Sequence, residues 1–217
     1  MSVTGAPGPL ALRPRRLVIA GYTGRDEAAV REHIEELARA GIPPPPAVPM
    51  FYELDPRLLT AAPAVEVAGD RTSGEAEPVL IRVDGRWYLG VGSDHTDRAL
   101  EREDIAAAKA ACPKPLGAAV RALPSEVERG AFDQVWDGTT VVCRVDGHTY
   151  QQGPLAALRR PSDLLNRLPA GADELADRPA CLVLDPAADG QGGEHDREVG
   201  FDRVAFVVVD GPGLQVV

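Results

Sequence analysis

Three acidic side chains, Glu75, Glu77 and Asp94, are spaced as a hard-cation site would need them. Glu75 and Glu77 stand two apart in SGEAEPVLI, so on an extended backbone they leave one face about 7 Å apart. Asp94 ends the apolar run RWYLGVGS and opens a stretch that also holds His95, Asp97, Arg98 and Glu101. An Asp84-Gly85 turn between the two runs pairs them antiparallel and brings Asp94 back toward the glutamates. Carboxylates that meet repel one another unless a cation lies among them. A set of oxygen donors, completed by waters, suits Mg²⁺ or Mn²⁺. On spacing alone the glutamate pair also reads as a solvated strand end.

Other groups add to this set. His33 and Glu36 lie at i and i+3 of a helical pattern, where a carboxylate orients an imidazole as a general base, or both are a solvated flank. Lys109 lies among alanines and either stabilises a developing enolate or is a surface lysine. Arg98 either clamps a substrate carboxylate or pairs with Asp94, Asp97 or Glu101. His95, Asp97 and Glu101 are expected to support the site or to be solvated.

These residues need elements to position them. Arg16 to Tyr22, RLVIAGY, predicts a buried strand. In the following segment Val30, Ile34 and Leu37 recur at helical spacing, with Thr23 to cap the start and Gly41 to end it. Four prolines in IPPPPAVP force an extended spacer that leads to MFYEL. The centre is β-rich: VEVAG, then the EAEPVLIRV and RWYLGVG hairpin. REDIAAAKAAC is helical by composition and stops before Pro113. TTVVCRV and HTYQQ form a second hairpin around Asp146-Gly147, a helix restarts at Pro161, and ACLVL and RVAFVVV are the last strands.

A chain of 217 residues suits one domain, 16–217, behind a flexible N-terminal arm, 1–15. Its 23 basic and 33 acidic residues give a net charge of -10, which argues against nucleic acid and anionic membrane as partners. RPRR, Arg13 to Arg16, then reads as part of a solvated arm. The apolar runs are too short for a membrane span or a signal-peptide core, so a cytoplasmic protein is expected. Cys112, Cys143 and Cys181 form no CxxC pair and read as buried thiols.

Seven segments, AGYTGRDEAAVREHIEEL, PMFYEL, EAEPVLI, GSDHTDRALE, AKAACP, RVDGHTYQ and CLVLDP, follow one another in the order of the motifs of the fumarylacetoacetate hydrolase-like superfamily. The chain resembles that superfamily from about residue 17 to 217, and is most similar to a prokaryotic branch catalogued as a domain of unknown function. The resemblance implies an α+β, predominantly β fold, a mixed β-roll with a few peripheral helices, in a homodimer. It implies Glu75, Glu77 and Asp94 as ligands to Mg²⁺ or Mn²⁺, His33 and Glu36 as the general-base pair, and Lys109 as the site lysine. It places Arg98, Gln151, Tyr22 and Phe51 at the substrate. The activity implied is metal-dependent chemistry on a 2-oxo or 1,3-dicarbonyl acid through an enolate, foremost C–C bond hydrolysis. Decarboxylation, keto-enol isomerisation and a non-catalytic metabolite-binding role are the alternatives. The superfamily's TGTP segment is replaced by Val183 to Pro186, VLDP, so that either the substrate differs or activity has decayed.

Overall fold

The computed structural model describes residues 2–4, 14–39, 41–74, 76–124, 130, 132–169, 180–184 and 204–209. In chain order the elements are β1 (Ser2–Thr4), β2 (Arg16–Gly21), α1 (Glu27–Arg39), β3 (Met50–Leu54), β4 (Leu59–Thr60), β5 (Thr72–Ser73), β6 (Ala76–Val83), β7 (Arg86–Ser93), β8 (Thr96–Asp97) and α2 (Ile105–Ala110). They continue as β9 (Lys114–Pro115), β10 (Ala119–Ala122), α3 (Asp133–Asp137), β11 (Thr140–Val145), β12 (His148–Pro154), α4 (Pro161–Arg167), β13 (Ala180–Leu184) and β14 (Val204–Val209).

The fold is mixed α+β. Seven strands form one sheet in the order β1-β10-β7-β6-β13-β2-β3, and a separate three-stranded sheet, β12-β11-β14, packs against it through β11. In place of the expected roll, no sheet closes on itself among the described residues. The N-terminal arm is not wholly irregular, because β1 pairs in parallel with β10 at the sheet edge. Among the described residues no helix is long and apolar enough to cross a membrane.

The large sheet is buried on both faces, which is why β2 and β6 read as continuous apolar runs. Strand periodicity assigns Val18, Ala20, Leu80, Leu89 and Val91 to one face, where Phe132, Trp136, Cys143, Leu155, Leu158 and Leu164 cover them. The opposite face carries Leu17, Ile19, Tyr52, Val79, Ile81 and Tyr88, covered by Leu116 and others.

The central hairpin follows the expected register. Val83 pairs with Arg86 and Ala76 with Ser93 across the turn. Asp84 and Gly85 both have positive φ, 49° and 72°, the two-residue turn that matches strand twist. Pro78 is tolerated inside β6 because, among the described residues, pairing with β13 begins only at Val79.

α1 forms as its periodicity predicts, but its start differs. Asp26, not Thr23, caps it: Asp26 Oδ1 accepts from the amides of Ala28 and Ala29 at 2.9 and 3.2 Å. A carboxylate directly before the first turn reaches those amides, whereas Thr23 is buried and its carbonyl accepts from Arg159 N at 2.8 Å. At the far end Gly41 N and Ile42 N bond back to Ala38 O and Leu37 O. Of the helix's apolar stripe only Val30 is buried; Ile34 and Leu37 are half-exposed. VEVAG, expected as a strand, is irregular, and Gly69 turns the chain there at φ 91° before β5. α4 starts with Pro161 in its first turn, as the restart at that residue predicts.

One close approach organises the face that carries the site. Pro115 crosses directly over Gly92 of β7, and Gly117 N donates to Val91 O at 2.8 Å. A Cβ on Gly92 would stand 2.8 Å from both Pro115 O and Val79 Cγ2. Backbone and a packed valine cannot both retreat, so Gly92→Ala is expected to lower the unfolding free energy by about 1–3 kcal/mol. Urea denaturation measures this, and an unchanged midpoint would show that the crossing is looser than described.

Candidate active site

Asp94 emerges where β7 ends, and two lysines take its carboxylate from different elements. α2 supplies the first. Asp104 caps this helix by accepting from Ala107 N at 3.0 Å, and its alanines carry little bulk, so it packs close and buries Lys109. Lys109 Nζ contacts Asp94 Oδ2 and lies 5.5 Å from the centre of the Tyr52 ring on β3. The second is Lys114 on β9, which is fully buried, stands 3.0 Å from Asp94 Oδ1 and donates to His95 O. β9 is held in parallel pairing with β4, Leu59 facing Lys114, and the Pro115–Gly92 crossing fixes it against β7.

The electrostatics follow from burial and pairing. Burial is the largest influence on Asp94 and raises its pKa, but the two lysines together outweigh it and hold the carboxylate below the usual range. Burial pulls the Lys114 ammonium below its ordinary value, with Asp94 opposing. His95, buried beside Lys114 and Arg98, is pushed down to about 4, so its ring is neutral near pH 7. Its Nε2 lies 2.9 Å from Thr72 Oγ1.

Glu77 is the second buried carboxylate. It is fully buried on β6 opposite Gly92, so it shares the face of Val79 and Ile81 on which Pro115 and Leu116 lie. The missing side chain at Gly92 lets the Pro115 backbone lie close over this end of the hairpin. Glu75, expected to complete the set, lies outside the described residues. Among the described residues no three His, Cys, Asp or Glu side chains converge. The described carboxylates of the oxygen-donor type that a hard divalent cation would need are Glu77 on β6 and Asp94 just after β7, both buried at the same end of the hairpin.

The remaining expected residues sort by contact. Arg98 braces the loop: Nη1 bonds both Glu101 oxygens at 3.0 and 2.8 Å, and Nε donates to Ser73 Oγ. Glu101 is thus a partner of Arg98, as one of the expected pairings has it. Asp97 Oδ1 accepts from Ala99 N and Leu100 N, capping the turn that follows. Gln151 reaches the start of β6, its Oε1 accepting from Ala76 N at 3.0 Å. Tyr22 is buried at the end of β2 with φ 58°. Phe51 packs against the core on the face away from Glu77. Val183 and Leu184 end β13, and Asp185 and Pro186 lie outside the described residues.

His33 and Glu36 sit apart from this cluster. His33 Nδ1 is 3.8 Å from Glu36 Oε2 on the partly exposed side of α1, and no hydrogen bond or ion pair among the described residues joins them to Asp94, Lys109 or Lys114. The start of α1 is anchored instead to residues 157–159, through Arg25 N to Ala157 O at 2.7 Å and the Gly24–Leu158 bridge. The largely buried Arg159 adds ion pairs to Glu27 at 3.0 Å and Asp163 at 3.1 Å.

Lys114 and Tyr52 were not legible as site residues. Lys114 is flanked by prolines in CPKP and belongs to no periodic pattern; only the composition hints at it, because the chain has two lysines, Lys109 and Lys114, among 23 basic residues.

Known proteins resemble this architecture. The chain is similar to a presumed fumarylacetoacetate isomerase/hydrolase of Oleispira antarctica, with 17% identity, 95% of this chain and 88% of that one covered, and a TM-score of 0.55. It is similar to fumarylpyruvate hydrolase of Pseudomonas aeruginosa, solved in complex with Mn²⁺ and pyruvate, at 16% identity, 86% and 84% coverage and a TM-score of 0.51. A third likeness, to 5-carboxymethyl-2-hydroxymuconate delta-isomerase of Mycobacterium smegmatis, has 12% identity, 93% and 74% coverage and a TM-score of 0.52. At these identities the shared property is the fold. No curated protein matches the chain. The sequence profile described as protein of unknown function DUF2848 matches residues 20–197, and the chain belongs to that family.

Proposed function

We propose that the chain is a divalent-metal-dependent enzyme that acts on a 2-oxo or 1,3-dicarbonyl acid through an enolate, foremost by hydrolysing a C–C bond. The observation that carries this reading is the pair of buried carboxylates, Glu77 and Asp94, with two buried ammoniums at the second. Burying four ionisable groups costs several kcal/mol each unless they are paired, so such a cluster is retained for chemistry more readily than for stability.

Glu77 and Asp94, with Glu75, would hold the cation, which supplies Lewis-acid polarisation of a carbonyl oxygen when bound. Lys109, whose ammonium already faces the site carboxylate, donates to the oxygen on which enolate charge develops. His33, oriented by Glu36, takes a proton from water as the water oxygen bonds to the carbonyl carbon. The C–C bond then breaks, its electron pair passes to the enolate, and the proton held by His33 returns to that fragment. This requires α1, anchored at its start, to bring His33 to the site when substrate is bound. Gln151 holds the first backbone amide of β6 and so keeps Glu77 in register.

Isomerisation is the second reading, favoured by the loss of the TGTP segment and by the occurrence of an isomerase among the structures of this fold. There His33 moves a proton between carbon and oxygen, and no water adds.

Three experiments test these readings. Glu75→Gln and Glu77→Gln are each expected to weaken Mn²⁺ binding, followed by electron paramagnetic resonance of the free ion, by about tenfold or more. Unchanged binding in both would remove the metal site. For the reaction, a panel of 2-oxo and 1,3-dicarbonyl acids is incubated in ¹⁸O-labelled water. Label in a product carboxylate is expected for hydrolysis and is absent for isomerisation. His33→Gln is expected to lower kcat by about 10²–10⁴-fold in either case, and a full rate in that variant would remove His33 from the mechanism.

A further inference from the structure

Every basic residue of this chain is an arginine except two, and both lysines are buried on the two oxygens of the same carboxylate. Arginine serves the surface and the structural pairs, including the largely buried Arg159 between Glu27 and Asp163. A guanidinium is planar and needs several acceptors, whereas an ammonium is a compact point charge that fits between one carboxylate oxygen and one carbonyl. Lys114 has those two partners, Asp94 Oδ1 and His95 O. It has no exposed surface, and its backbone is clamped between β4 and β7. Such a charge is neither screened by solvent nor able to swing away.

A fixed, unscreened positive charge on a cation ligand has a definite consequence. It opposes a divalent cation that arrives alone, and it attracts an anion. Three carboxylates, Glu75, Glu77 and Asp94, against Lys109 and Lys114 leave one net negative charge, so a divalent cation turns the site net positive, which an anionic ligand offsets. We propose that Lys114 makes cation and substrate bind as a pair: its ammonium weakens the divalent ion in the absence of an anionic 2-oxo acid and favours the ion together with it. This rests on the metal-site reading above and assigns Lys114 as a specificity-determining residue that selects anionic substrates. Coupling of this kind is reciprocal, so the ion strengthens the anion by the same factor.

The test uses the whole chain, Mn²⁺ or Mg²⁺ as the ion and oxalate as the anionic probe. Mn²⁺ affinity is measured with and without oxalate for the unaltered protein, Lys114→Met and Lys114→Gln. Because oxalate chelates the ion itself, the comparison between proteins carries the inference. In Lys114→Met, Mn²⁺ alone is expected to bind about tenfold tighter, and the enhancement by oxalate to shrink by about tenfold. Lys114→Gln keeps a donor for Asp94 and His95 without the charge, and is expected to behave alike even where the methionine variant does not fold. With ¹⁵N-labelled lysine the protein gives two side-chain ammonium signals, and both are expected to move when Mg²⁺ and oxalate are added together, more than with Mg²⁺ alone.

Mn²⁺ affinity that is unchanged or weaker in the folded variants, with the oxalate enhancement intact, would overturn the role of Lys114 and leave the metal site standing. An unaltered protein that binds no Mn²⁺ with or without oxalate would overturn the metal site itself, and this inference with it.

Discussion

The carboxylate of Asp94, shared between two buried ammoniums, is the interaction on which the rest of the site depends. An ammonium or carboxylate taken out of water costs several kcal/mol, and only close pairing returns it. Lys109 and Lys114 therefore cannot be buried without Asp94, and Asp94 at the end of an apolar strand is held ionised by them. The elements around it are arranged to deliver these charges. α2 is short, capped and alanine-rich, so that Lys109 can approach. The chain then passes Pro113 and returns as β9, so that Lys114 meets the same carboxylate five residues after Lys109.

That return crosses the sheet face at Gly92, which explains why the two faces of one sheet are built so differently. One is covered by bulky groups, Phe132, Trp136, Leu155 and Leu164, in ordinary side-chain packing. The other places Gly90 and Gly92 on β7 where larger residues would otherwise stand, and the covering segment lies close against the strand. Glu77, opposite Gly92, is fully buried at this end of the face. A polar floor thus forms at one end of a face that is apolar elsewhere.

Much of this was legible from the residues. The hairpin register followed from Asp84-Gly85, because a two-residue turn leaves no freedom in pairing. It placed Asp94 one step beyond Ser93, with Glu77 across from that end opposite Gly92. α1 followed from its periodicity, but its cap did not, since Thr23 and Asp26 are both competent acceptors and tertiary packing decided between them. The crowd of charges after Gly92 also separated by contact in ways spacing alone left open. Asp97 closes a turn, Arg98 and Glu101 brace each other against Ser73, and His95 lends its carbonyl to Lys114. Such choices depend on partners far away in the chain, Thr72 and Lys114 among them, and no local pattern names those.

Lys114 is the instructive case. Period, propensity and motif all pass over a lysine between two prolines, and the bland reading of any isolated lysine is a solvated surface. Composition carries the stronger signal. A chain that meets its surface and structural needs with arginine has no general use for lysine, so each position that keeps one requires what only an ammonium provides. Both such positions here meet at Asp94. The rarity of a residue type within one chain can therefore mark a site that spacing does not, provided that another residue of the same charge does the ordinary work elsewhere.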